Sequence, residues 1–276
     1  MSTDANDKLA VRILNKAFEF GADLAGFTNI ASLKESPSHK IYPNLPDYAG
    51  VGTGRVHIHE KSTITKKNIV WPQGAKTVLV IALSHPETAP SLDLWRDPFF
   101  GCTKGNLQLI KIINEIIKWL GESQDLKCRQ IPYVIEQGGI FLKDAAVLAG
   151  IGIIGKNNML VTPQFGPRVR LRAMTLPINF PSTGLLNFDP CTDCGSLCRK
   201  PCPSGAFNKT IFSSVEYNQT QLPAKDGKYA RQTCNIEMEQ NIKNARHIPI
   251  EEKDDSMRVV LYCRVCEFAC PIGQNY

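Results

Sequence analysis

The feature that most constrains this chain is a run of closely spaced cysteines, Cys191, Cys194, Cys198 and Cys202, closed by Pro203. Its C-x2-C-x3-C-x3-C-P spacing is one residue longer in the middle than the C-x2-C-x2-C-x3-C-P run that holds [4Fe–4S] clusters. A second run, Cys263, Cys266 and Cys270 followed by Pro271, repeats the last three positions of that pattern. Its missing first member must come from elsewhere, and the only cysteine between the two runs is Cys234. Together they supply eight thiolates, the complement of two cubanes.

In two-cluster ferredoxins the cysteine before the proline ligates the other cluster, because the chain leaves one cubane and crosses to its neighbour. Applied here, one cluster takes Cys191, Cys194, Cys198 and Cys270, and the other takes Cys202, Cys234, Cys263 and Cys266. Cys102 and Cys128 are left over. A zinc site built from Cys191 and Cys194 with Cys263 and Cys266 is the bland alternative, but such pairs usually lie closer in sequence, and zinc gives the Cys-Pro elements no role. Disulfides suit small secreted domains, whereas this chain has 276 residues and begins without an export signal. A radical S-adenosylmethionine site needs a C-x3-C-x2-C triplet with one iron left open, and the crossed pairing leaves none open.

Length and composition point to a soluble globular protein of one large or two smaller domains, 43% hydrophobic and 21% charged. No apolar run approaches the roughly 20 residues of a membrane span, so a cytoplasmic protein is expected, in a reducing compartment that keeps thiolates free for iron. The net charge of +6 permits nucleic acid or an acidic redox partner without requiring either. Arg168, Arg170 and Arg172 could meet phosphate, as could Lys61 to Lys67, although a solvated face is the favoured reading of the lysines. His57 and His59 read as surface residues rather than metal ligands.

Along the chain, Leu9, Ile13, Leu14, Ala17 and Phe18 recur at helical spacing, which predicts a helix over 7–20 with Asp7 as N-cap and Gly21 as its end. Residues 23–28 read as a strand, and the segment 36–48, rich in Pro, Ser, His and Tyr, as a loop over the site. The aliphatic run 77–83 predicts a central strand buried on both faces. Leu109, Ile112, Ile113, Ile116, Ile117 and Leu120 predict a core helix over 106–120 that stops at Gly121.

Further on, residues 132–135 read as a strand, 140–148 as a helix, and 158–161 and 169–176 as strands. The alternation of basic and apolar residues in the last predicts a half-exposed strand. Pro177 and Pro181 mark a linker into the double-cluster module, whose least structured parts are expected at 208–231 and 251–255.

Gly150, Gly152, Gly155, Lys156 and Asn157 form a glycine-rich turn. It matches G-x-G-x-x-G, yet a helix rather than a strand precedes it, against the dinucleotide fingerprint. It also approaches a P-loop, but Asn157 stands where a Ser or Thr would bind magnesium. What the glycines do require is a sharp turn or close approach of backbone to a neighbour.

The order of these motifs resembles the epoxyqueuosine reductases and the corrinoid reductive dehalogenases. The resemblance rests on residues 73–83, on Ala149 to Asn157, and on the double-cluster module with its lone Cys234. It implies an α+β protein: a nitroreductase-like α/β cobalamin-type domain at 1–184, then a ferredoxin-like double [4Fe–4S] domain at 185–276. It also implies that the clusters relay single electrons to a cobalamin, for reduction of a modified tRNA base or a small organic substrate. A low-potential donor such as ferredoxin or flavodoxin would supply the electrons, and tRNA would be a partner.

In that family an aspartate upstream of the glycine turn donates the proton, and the matching position here is Glu136. Glu136 is therefore either a general acid with a pKa raised by burial or a carboxylate in solvent at a strand end. The resemblance assigns the turn from Gly150 to Asn157 to the corrin pocket. There are departures: Gly105-Asn106-Leu107 replaces a Tyr-His-Lys stretch, Gln137-Gly138-Gly139 replaces Ser-Ala-Pro, and the sequence stops at Tyr276 where relatives continue into a helical repeat segment. The sequence also lacks an Asp-x-His-x-x-Gly cobalt-ligand motif, as expected where cobalamin binds base-off. A ferredoxin-like electron carrier without corrinoid stays open beside the enzyme.

Overall fold

The computed structural model of the chain describes residues 3–44, 69, 71–97, 103–133, 135, 138–249 and 256–274. The first part runs α1 (Thr3–Glu19), β1 (Leu24–Asn29), α2 (Ile30–Lys34), α3 (Pro37–Ile41), β2 (Thr77–Ser84), β3 (Leu94–Arg96), α4 (Lys104–Gln124), β4 (Arg129–Gln130) and α5 (Leu142–Leu148). It continues through β5 (Ile153–Ile154), β6 (Leu160–Val161) and β7 (Val169–Leu176), and the second part holds α6 (Ser214–Tyr217), α7 (Arg231–Lys243), β8 (Arg246–Pro249), β9 (Ser256–Leu261) and α8 (Val265–Phe268).

The main sheet has the order β1-β2-β7-β4, and each neighbouring pair is antiparallel. Its central strand β2 is apolar without alternation because both its faces are covered. Leu79 and Ile81 face a core shared with α1 and α4, while Val78, Val80 and Ala82 face a second core shared with α2 and α5. The sheet is thus the middle layer between two layers of helices. At Gly26 a side chain would strike the Ala149 carbonyl, so the glycine lets the end of α5 lie directly on β1.

The second part has a sheet of its own, ordered β3-β9-β8. Strand β3 comes from within residues 1–184 and pairs with β9, carrying Trp95 into the small core of Val260, Tyr262, Met238 and Ile242. The two parts therefore share a sheet as well as a seam.

Several elements differ from the sequence expectations. Helix α1 starts at Thr3, which places Asp7 inside the helix rather than at its cap, and Phe18 is exposed while Leu9, Ile13 and Ala17 are buried. Helix α4 continues through Gly121 and ends at Asp125, which takes a left-handed φ of 52° and donates its N–H to the Leu120 carbonyl. The buried stripe ends at Leu120, and the last turn beyond it is largely exposed, at the modest helix penalty of a single glycine. The strand expected at 132–135 lies instead at β4, where Arg129 and Gln130 reach the edge of β7. Within 36–48 the described residues fold into α3 and a 3-10 turn at Tyr42–Asn44.

The expected linker is packed: Phe180 is buried, its N–H bonds Thr77 Oγ1 at 2.9 Å, and the Thr183 N–H bonds the Phe27 carbonyl at 2.9 Å. Strand β7 is buried rather than half-exposed, and Arg172 is only 6% exposed. The strand's arginines find partners inside the protein: Arg170 pairs with Asp93 and Glu267, and Arg172 bonds Asn106. Glu136, Cys102, His57, His59, Lys61 to Lys67 and 251–255 lie outside the described residues. Among the described residues no helix is long and apolar enough to cross a membrane.

Ile113 of α4 is fully buried against β2 and β7, so Ile113→Ala removes atoms from the centre of the larger core. We expect a loss of about 2–5 kcal/mol in unfolding free energy, measured by urea denaturation.

Candidate metal centre

Two cavities open among the loops of the second part. Cys191, Cys194, Cys198 and Cys270 line one, and Cys202, Cys234, Cys263 and Cys266 line the other. The fold thus brings Cys270 from the second run to the first three cysteines, and sends Cys202 across to the second run, the grouping given by the crossing rule. Cys234 reaches its cavity from the first turn of α7. None of the described cysteines is in a disulfide, and Cys128 lies apart beside the α1–α4 core, its thiol pushed up to about 11 by burial.

The donors in each set are all sulfur. Among the described residues no three His, Cys, Asp or Glu side chains converge tightly enough for a single metal ion. Each set of four lines a cavity, and four thiols is the donor set that a cubane with one thiolate on each iron would need. Burial pushes the Cys198 thiol up to about 11, and neighbouring Cys270, Cys191 and Cys194 add to the shift. Cys266 is raised by burial and then by Cys234 and Cys263. A positively charged inorganic core would reverse that balance, since a coordinating thiol is deprotonated by its metal.

The glycine turn forms the seam between these loops and the first part. A side chain at Gly150 would strike the Gly184 carbonyl, and one at Gly152 would lie 2.5 Å from the Val161 carbonyl oxygen. At Gly155 it would crowd Val161 and come within 3.5 Å of Cys191 Sγ. Lys156 Nζ donates to the Cys194 carbonyl at 3.0 Å and the Thr192 carbonyl at 3.5 Å. Asn157 Nδ2 donates to the Cys266 carbonyl at 3.1 Å, and Asn157 lines both cavities. The close approaches at the three glycines and the side-chain bonds of Lys156 and Asn157 are made to other parts of this chain.

Strand β7 supplies the second anchor. Arg168 donates to the Cys270 carbonyl at 3.1 Å, to the Glu267 carbonyl at 3.2 Å and to the Ile272 carbonyl. Gly166 and Gly273 pack backbone against backbone beside it, each at positive φ. Arg170 bonds both Glu267 carboxylate oxygens at 3.2 Å and Asp93 Oδ1 at 3.1 Å. Arg264 meets Asp93 Oδ2 at 2.6 Å and also pairs with Glu267, while His85 Nδ1 lies 2.9 Å from Asp93 Oδ1. Arg172 bonds Asn106 Oδ1 at 2.8 Å and lies over the Tyr133 ring. The arginines read as phosphate contacts are thus internal partners.

Sequence reasoning missed Asp93, Arg264 and Glu267. Two of them sit between cysteines of the second run and look like solvated charges, and the signal that could have found them was the arginine row of β7, which needs buried acids if the strand is central. Burial pushes the Asp93 carboxyl up, but the bond from His85 and the charges of Arg170 and Arg264 bring it below its usual range.

No protein-family model matches the chain. The chain is similar to epoxyqueuosine reductases. The protein of that name from Bacillus cereus is 27% identical over 195 residues, which are 68% of this chain and 49% of the relative. The chain spans about half the length of the curated relatives it matches. A crystal structure of epoxyqueuosine reductase with an epoxyqueuosine-modified tRNA stem loop superposes with a TM-score of 0.57 and 19% identity, covering 98% of this chain and 66% of that one. A reductive dehalogenase whose structure suggests a mechanism for B12-dependent dehalogenation superposes with a TM-score of 0.54 and 14% identity, covering 95% of this chain and 31% of that one. These two likenesses show a shared fold.

The folded pKa of Asp93 lies below the unfolded value near 3.9. Its stabilisation is present above about pH 4 and is lost as pH falls through the folded value. Asp93→Asn should cost about 3–5 kcal/mol at pH 7, because it leaves buried guanidinium charge unpaired. Urea melts at pH 7 and pH 3 should show that cost shrinking in acid.

Proposed function

We propose that the chain holds two [4Fe–4S] clusters and is an oxidoreductase related to epoxyqueuosine reductase, supplied with electrons by a low-potential carrier such as ferredoxin or flavodoxin. The observation that carries this reading is that eight cysteines from separated stretches form two sets of four, each around its own cavity. Bound there, the clusters would supply single electrons at low potential. The similarity to curated epoxyqueuosine reductases supports a modified tRNA base as substrate class, with a small organic compound as the alternative.

The chain's own residues hold and screen the two sets. Arg168 fixes the loop that carries Cys270, and Asn157 ties the glycine turn to Cys266. Trp95, Phe207, Met238 and Tyr262 wall the second cavity and limit water. A low-dielectric wall strengthens charge interactions inside it.

A cobalamin belongs to this reading through the family likeness, with Glu136 as its proton donor. The engagement of the glycine turn by the cysteine loops favours a second reading, an electron carrier without corrinoid. Titration of the reconstituted protein with cob(II)alamin separates the two. A base-off shift in the cobalt EPR signal at one equivalent supports the reductase, and no binding in protein with both cubanes leaves the carrier.

Anaerobic reconstitution should give about eight irons per chain, and Cys234→Ala should remove about four while sparing the other cubane. Full iron and an unchanged cubane spectrum in that variant would contradict the ligand assignment.

A further inference from the structure

Both cavities carry cations beside their thiols, and on the second Arg231, bonded to the Tyr229 hydroxyl at 3.3 Å, lines the wall with Cys234. Around Cys202, Cys234, Cys263 and Cys266, Arg170 is bonded to Glu267 and Asp93, and Arg264 pairs with the same two carboxylates. Around Cys191, Cys194, Cys198 and Cys270, the seam instead presents Lys156 and Arg168. Among the described residues neither forms an ion pair, and both direct their N–H groups to carbonyls of the cysteine loops.

Lys156 also lines the first cavity and is half-buried. The carboxylate on that cavity, Asp193, is exposed, so water and salt weaken its opposing field. Other charges beside this set are paired, Asp189 with Lys225 and Asp226 with Arg199, or exposed, as Lys200 is.

Adding an electron to a thiolate-bound cluster increases its negative charge. A fixed cation held by carbonyls next to the thiolates favours the reduced form, and a nearby neutral pair does so much less. We propose that Lys156 is a positioning residue that raises the reduction potential of the cluster held by Cys191, Cys194, Cys198 and Cys270. With Lys156 in place that cluster is easier to reduce than it would be without the charge. This inference rests on the two-cluster reading.

The test is a potentiometric titration of the anaerobically reconstituted full chain, following both cubanes by EPR in wild type, Lys156→Gln and Lys156→Arg. In Lys156→Gln the reduced-to-oxidised ratio of one cluster should fall about tenfold at fixed potential, about 59 mV for a one-electron couple. The other midpoint should stay in place, and Lys156→Arg should keep both. Unchanged midpoints in Lys156→Gln, or an equal fall of both, would overturn the proposal. So would a shift in Lys156→Arg as large as in Lys156→Gln. If Lys156→Gln loses the first cubane, Lys156→Arg decides alone: a retained midpoint supports the charge, and a lowered one overturns it. Wild-type protein lacking two cubane signals overturns the two-cluster reading and this inference with it.

Discussion

Arg168, just before β7, and Arg170 on it hold the two parts of this protein to one another. Arg168 gathers the Glu267, Cys270 and Ile272 carbonyls, and Arg170 grips the Glu267 carboxylate while also holding Asp93. These contacts place the loop of Cys270 at the cavity formed by Cys191, Cys194 and Cys198, sequence positions that chain proximity alone would not bring to it. Buried guanidiniums are costly unless every charge finds its partner, so this seam tolerates little change. The crossing of the cysteine runs and the charge balance of both cavities depend on it.

The sheet and the cysteine sets were the parts most readily read in the sequence, for physical reasons that differ. A strand such as β2, covered on both faces, shows as an unbroken aliphatic run, and α4 shows as a stripe at helical spacing. Cysteine spacing is legible because it is a short-range pattern in the sequence, and the fold gathers the eight into two sets of four. The arginines of β7 were misread because alternating charge is the usual mark of a strand facing water. Here the acids that neutralise the charge come from a 3-10 turn at Asp93 and from α8, neither of which announces a link to β7. The stop expected at Gly121 failed because one glycine's helix penalty is modest, and the left-handed turn that ends α4 falls at Asp125.

The glycine turn carries the main shift in interpretation. Its residues suggested a ligand approached closely by backbone, and close approach is what the fold uses them for, but the neighbours are Gly184, Val161 and the cysteine loops. A turn so placed couples the first part of the chain to both thiolate sets. Lys156 and Asn157 each bond a different set, so motion of the turn would be felt at both cavities.

The most direct test of this account is a crystal structure of the anaerobically reconstituted chain phased on iron anomalous scattering. The account predicts two iron groups, one bonded to Cys191, Cys194, Cys198 and Cys270 and the other to Cys202, Cys234, Cys263 and Cys266. A single metal ion, or iron groups whose ligands do not cross between the two runs, would contradict it.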